Sequence, residues 1–169
     1  KATGRQAALV RNGNFAPSVA KGQPLGPPWI FGYVGTLAFW FDWDWVIKLA
    51  TALPDAEIRL YGPLMCKAPP DLPSNIQIHG PVANETALAL MADWHVGLIP
   101  FQKNKLTESV DPVKYYEYRA AGLPVLSTRF GEMNWHARDE AVWFLEDVDL
   151  ASLPQRLINW VDVPVARTQ

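Results

Sequence analysis

The sequence predicts an α/β fold: a parallel sheet with helices on both faces. Three observations carry this. Short apolar runs of strand length alternate with amphipathic helical segments five or six times, which is the pattern of repeated β-α-β units. Apolar residues make up 49% of the 169 positions and charged residues 19%, enough for one real core and unlike a disordered chain. Glycine or proline punctuates the apolar runs, at Gly35, at Gly62 with Pro63, at Gly80 with Pro81, and at Pro100.

The elements follow in order. Residues 1–28 are polar and rich in Gly and Pro and read as a lead-in or linker, leaving 29–169 as the domain. Residues 29–34 form the first strand, turning at Gly35-Thr36. Asp42 is placed to cap a helix, with Phe41 stapled over Val46, and Val46, Leu49, Ala50 and Leu53 keep helical spacing until Pro54-Asp55. Residues 57–61 are a strand, 64–75 a Pro-rich loop, and 76–79 a strand ending at Gly80-Pro81. Asn84 is read as the cap of a helix reaching Asp93, with Ala87, Leu88, Met91 and Ala92 on its apolar stripe. Residues 95–100 are a strand and 102–110 a polar loop. A helix over 112–121 has Asp111 as its expected N-cap and Pro112 as its first residue, and Gly122 closes it. Strands over 124–127 and 141–145 and a helix over 150–161 complete the chain.

Composition narrows the function. A formal net charge of -2 is not the basic footprint of a nucleic-acid binder. No run of eighteen apolar residues occurs, so no segment reads as membrane-spanning. The single cysteine, Cys66, allows neither a disulfide within the chain nor a zinc set, and a cytoplasmic setting is expected. The chain opens on Lys1 without a leader-like apolar stretch and reads as a fragment or processed form. His79, His95 and His136 lack metal-ligand spacing. The aromatic run from Phe39 to Trp45, and Tyr115, Tyr116 and Tyr118, read as packing. Arg129, Glu132 and Arg138 fall in a loop.

In an open α/β sheet, ligands sit beyond the carboxyl ends of the strands. There the sequence places Gly35-Thr36, Gly62, Gly80-Pro81-Val82 and Pro100, with glycines that let backbone approach a ligand closely. Lys114 falls in the first turn of the 112–121 helix, where free N–H groups and the dipole favour an anion. Glu117 lies one turn on, on the same face. Such a cation and carboxylate can hold a diphosphate and the hydroxyls of a ribose. On spacing alone the same two residues also read as a Lys–Glu pair on a solvated helix.

The run Asp111-Pro112-Val113-Lys114-Tyr115-Tyr116-Glu117-Tyr118-Arg119-Ala120-Ala121-Gly122-Leu123-Pro124-Val125 resembles the donor-binding signature in the C-terminal half of GT-B glycosyltransferases. Tyr33-Val34-Gly35-Thr36-Leu37 with Trp40-Phe41-Asp42 is similar to the first strand-turn-helix of that half. Further blocks agree, from Ala92 to Phe101 with Asn104 and Leu106-Thr107, and at Val10-Arg11-Asn12-Gly13. They stand in family order across about residues 8–160.

The resemblance implies a Rossmann-like sheet forming one half of a GT-B fold. It implies a nucleoside diphosphate sugar as donor and transfer of a hexosyl group to an acceptor, in glycan or polysaccharide synthesis. By the resemblance, Glu117 takes the ribose hydroxyls and Lys114 faces the phosphates, and these two are the expected catalytic pair. Gly35 and Thr36 stand near the diphosphate and sugar, and Pro81 and Val82 meet the base. Gly62, Gly80, Pro100 and Asp111 complete the expected donor site. Neither a metal nor another cofactor is expected. The acceptor-binding N-terminal half is expected to be missing, leaving the isolated domain inactive, and to provide any peripheral contact with the inner face of a membrane. Many retaining members have a second glutamate eight residues before Glu117. Here that position is Ser109, flanked by Glu108 and Asp111, so the stereochemistry is left open. An epimerase or hydrolase on the same scaffold, and a non-catalytic interaction module, are the alternatives.

Overall fold

A computed structural model of the chain describes residue 12 and residues 26–161. The lead-in over 1–28, apart from Asn12 and residues 26–28, lies outside the described residues, as does 162–169. Among the described residues six strands run β1 (Ile30–Val34), β2 (Glu57–Tyr61), β3 (Ile76–Gly80), β4 (Val96–Ile99), β5 (Val125–Ser127) and β6 (Val142–Phe144). The helices are α1 (Trp43–Ala52), α2 (Asn84–Met91), α3 (Val113–Ala120) and α4 (Leu153–Val161), with shorter 3-10 stretches between them.

All five strand pairings are parallel, in the order β3-β2-β1-β4-β5-β6. The chain steps outward from β1 in one direction, returns across the sheet after β3, and steps outward the other way from β4. Right-handed crossovers therefore put α1 on one face and α2 and α3 on the other. The α/β fold expected from the alternation is the fold observed. Its strand order reverses between β1 and β4, and an open sheet has its ligand crevice at that reversal, beyond the strand C-termini.

The two central strands meet at paired glycines, Gly32 on β1 and Gly97 on β4. Neither has room for a side chain. A Cβ on Gly32 would lie 2.0 Å from the Trp94 ring, and one on Gly97 would lie 2.4 Å from the Tyr118 ring. These rings are fully buried and meet edge to face at 6.1 Å. Two glycines thus let two large aromatics seat α3 and the α2–β4 turn tightly on the sheet centre.

Local signals succeeded and failed for identifiable reasons. Asp42 caps α1 as expected, accepting the Trp45 N–H at 3.0 Å. Asp111 does not cap α3. Pro112 occupies the N-cap position and Val113 begins the helix, while the Asp111 carboxylate accepts the Tyr116 hydroxyl at 3.0 Å. Asn84 is likewise the first residue of α2 and not its cap, which is Ala83 with no side-chain hydrogen bond. The loop expected to hold Glu132 and Arg138 is a 3-10 stretch, Gly131–Arg138. A 3-10 turn, Leu150–Ser152, precedes α4, with Asp149 accepting the Ala151 N–H.

Candidate functional site

The turns after β1, β2 and β3 are tied edge to edge. The Gly35 N–H donates to the Tyr61 carbonyl at 2.8 Å, and the Gly62 N–H donates to the Gly80 carbonyl at 2.7 Å. Gly62 approaches so closely that a Cβ there would stand 1.9 Å from the Gly35 carbonyl oxygen. Gly35 and Gly62 have φ of +150° and +143°, backbone that other residues rarely adopt. The Tyr33 hydroxyl donates to the Thr36 carbonyl at 3.0 Å and fixes the first turn from below.

α3 is locked to the same strand end. Val34, the last residue of β1, donates its N–H to the Tyr118 hydroxyl at 3.2 Å. On another side of the helix, Asp139 takes the Tyr115 hydroxyl at 3.0 Å and the Arg119 guanidinium at 2.7 Å. Burial and the Asp139 carboxylate push the Tyr115 hydroxyl up to about 12, so it remains a donor. These anchors place Lys114 directly above Gly35. A Cβ on Gly35 would lie 2.4 Å from the Lys114 Cε and 2.6 Å from its Nζ. The ammonium also sits 5.6 Å from the centre of the Tyr33 ring, a cation–π contact.

The result is a cleft of about 500 Å³ at the reversal of the strand order. Of the residues expected from sequence, Gly35, Thr36, Gly62, Pro81, Val82, Lys114 and Glu117 line it. Three do not. Gly80 is one layer back, its carbonyl holding Gly62. Pro100 is buried, with its carbonyl accepting the Asp42 N–H at 2.8 Å. Asp111 is turned toward Tyr116 and His136, and Asn12 donates to it through its backbone N–H at 3.2 Å and its amide at 2.8 Å.

Lys114 and Glu117 share this cleft without pairing. Among the described residues neither forms an ion pair, although the two stand one helical turn apart. Burial strips water from the Lys114 ammonium and holds its pKa below the ordinary 10.5, with the Glu117 charge offsetting this in part. A cation that burial destabilises, beside a carboxylate that does not neutralise it, is poised to gain from an anionic partner. α3 presents its N-terminus at the same place with no side-chain cap.

Sequence reasoning missed one wall. Asn84, Ala87, Leu88 and Met91 of α2 line the cleft opposite α3. The apolar stripe was legible, but a stripe facing a cleft and one facing a core have the same period. Of the histidines, His95 is buried and accepts the Ile30 N–H at 3.0 Å. His79 stacks on Tyr61 at 4.5 Å, and His136 on Tyr115 at 3.6 Å. Among the described residues, no three His, Cys, Asp or Glu side chains are grouped to hold a metal ion. No helix there is long and apolar enough to cross a membrane.

Comparison with solved structures finds the same architecture elsewhere. AviGT4, a glycosyltransferase involved in avilamycin A biosynthesis, superposes over 83% of this chain with a TM-score of 0.55 at 17% identity. TarM does so over 88% of this chain, with a TM-score of 0.56 at 12% identity. The likeness is one of fold. The chain has the Rossmann-like α/β architecture seen in one half of a GT-B glycosyltransferase. It spans less than half the length of these structures, 44% of AviGT4 and 32% of TarM. No protein-family model matches the chain, and no curated protein matches it.

Proposed function

We propose that the cleft binds a nucleoside diphosphate sugar, and that the chain serves as the donor-binding half of a glycosyltransferase. The observation that carries this is the unpaired disposition of Lys114 and Glu117. An exposed Lys–Glu pair would satisfy itself, whereas here both charged groups line one cleft and, among the described residues, form no ion pair. In this reading Lys114 and the uncapped start of α3 take the diphosphate, and Glu117 accepts hydrogen bonds from the ribose hydroxyls. The backbone turn at Pro81 and Val82 and the apolar wall of α2 receive the base.

The chemistry follows from that placement. In glycosyl transfer the bond from the anomeric carbon to the phosphate oxygen breaks, and its electron pair leaves with the diphosphate. A bond from the anomeric carbon to an acceptor oxygen forms, and the acceptor's proton passes to a base. Positive charge fixed beside the departing diphosphate stabilises the transition state more than the ground state, because negative charge grows on the leaving oxygens. Lys114 is held for this by Tyr33 and by the missing side chain at Gly35. The acceptor site and the base that takes its proton are assigned to the rest of the longer protein. The fold is shared with AviGT4, a glycosyltransferase, and product analysis with donor alone separates a transferase from an epimerase or hydrolase on the same scaffold. A hexosyl donor, a role in glycan synthesis and a cytoplasmic setting are parts of the same reading.

Calorimetry or ligand-observed NMR of this chain against UDP, GDP, ADP and dTDP tests it. One or more of these should bind, with weaker binding of the matching monophosphate. Failure of all four to bind would refute the assignment.

A further inference from the structure

The gap between Lys114 and Glu117 needs a physical cause. Residues three apart on a helix are neighbours, and a Lys–Glu pair at that spacing forms readily. Both side chains line the cleft, yet among the described residues they form no ion pair. Another group must hold the ammonium. Three groups converge above the Gly35 turn. A Cβ on Gly35 would lie 2.4 Å from the Lys114 Cε, 2.6 Å from its Nζ and 3.0 Å from the Tyr33 hydroxyl. The ammonium lies over the Tyr33 ring, 5.6 Å from its centre.

Tyr33 is a firm platform. It is fully buried on β1, and its ring packs edge to face on Phe41 with the centroids 5.0 Å apart. Its hydroxyl donates to the Thr36 carbonyl at 3.0 Å. Burial raises the pKa of that hydroxyl, so the ring is a neutral phenol and offers only its π face. A cation–π contact shifts an equilibrium by about 2–30-fold, and a helical Lys–Glu pair by about 1.4–2.3-fold. The ring outweighs the carboxylate.

Resting on the donor-binding reading above, we propose that Tyr33 is a positioning residue for the donor diphosphate: its ring holds the Lys114 ammonium over the Gly35 turn and away from Glu117. The two charged groups then meet different parts of one ligand, with no pair to break first. The Tyr33 hydroxyl fixes the Thr36 carbonyl in the same turn, so one side chain sets both the cation and the backbone beside it. A cation ordered before the ligand arrives loses less freedom on binding. Without the ring, Lys114 falls toward Glu117, and that pair must open for the diphosphate.

The probe is whichever of UDP, GDP, ADP and dTDP binds the chain most tightly, with melts to confirm that each variant folds. Tyr33→Phe keeps the ring and loses the hydroxyl, so it should bind within about threefold of the parent while melting at a lower temperature. Phenylalanines carrying one, two and three ring fluorines at position 33 keep the shape and drain the negative π face. Affinity should fall with each fluorine, to about 2–30-fold below Tyr33→Phe at three. A side chain that only filled space would not follow the fluorine count. Glu117→Gln removes the competing carboxylate, so in the trifluorinated chain it should cost about threefold less affinity than in the parent. In the unsubstituted chain, NMR should show nuclear Overhauser contacts between the Lys114 Cε protons and the Tyr33 ring. Their absence, a flat affinity across the fluorinated series, or an equal cost of Glu117→Gln in both chains overturns this inference and leaves the nucleotide site standing. A folded Tyr33→Phe that loses binding does the same, since the hydroxyl and not the ring would then carry the effect. Failure of all four diphosphates to bind the parent overturns the donor-binding reading itself.

Discussion

Replacing Gly35 with alanine separates two roles that the residue plays. The first is conformational: φ at Gly35 is +150°, and a side chain in such sparsely populated backbone costs about 1–3 kcal/mol. At about 2–4 °C per kcal/mol for a domain of this size, the melting temperature should fall by about 2–12 °C. The second role concerns Lys114. The new Cβ would sit 2.4 Å from Cε and 2.6 Å from Nζ, and a flexible side chain yields more cheaply than backbone, so the ammonium should be displaced. A charge-assisted contact to a diphosphate contributes about 1.5–3 kcal/mol, so its affinity should drop about 10–150-fold. The assay is a double-mutant cycle, with melting and diphosphate affinity measured for Gly35→Ala, Lys114→Ala and the double variant. If Gly35 acts on the ligand through Lys114, adding Gly35→Ala to Lys114→Ala should cost little further affinity while the conformational loss of stability persists. Additive losses of affinity, or a folded Gly35→Ala that binds diphosphate as tightly as the parent, would refute the reasoning.

Three other outcomes are expected. Tyr118→Phe should destabilise the domain by about 1–3 kcal/mol in denaturant titration, because the Val34 N–H loses its partner at the end of β1; an unchanged midpoint would show that bond to be dispensable. Burial lowers the Lys114 pKa, so the unfolded chain binds this proton more tightly, and stability should rise with pH between the folded-state value and the ordinary 10.5. A bound diphosphate favours the ammonium. Affinity should therefore fall as pH climbs through the free-state value, with proton uptake on binding seen by calorimetry in buffers of different ionisation enthalpy. Lys114→Met should abolish both effects, and a pH-independent affinity would count against Lys114 facing the phosphates.

The fold was legible because its signals are local and repeated. Alternating strand and helix periods recur along the chain, and parallel topology with helices on both faces follows from their order. The site was legible where glycine marked a turn beyond a strand, as at Gly35 and Gly62, and where Lys114 and Glu117 shared a helical face. Long-range competition hid the rest. Asp111 has the composition of a cap, but Tyr116, His136 and Asn12 claim its oxygens from elsewhere in the chain. Asn75 sat unnoticed in a Pro-rich loop, yet its amide donates to the Ala50, Leu53 and Ala56 carbonyls and closes the end of α1. Tyr118 reads as packing from its spacing, and nothing local shows that its hydroxyl meets a strand 84 residues away in sequence.

The most direct test of the central claim compares Lys114→Ala and Glu117→Ala for binding of a nucleoside monophosphate and its diphosphate, with melts to confirm folding. Glu117→Ala should weaken both ligands alike, by about 10–150-fold, because both carry the ribose. Lys114→Ala should weaken the diphosphate more than the monophosphate and flatten the salt dependence of its binding. Folded variants that bind the diphosphate as tightly as the parent would contradict the site, and with it the reading of the cleft as a donor site.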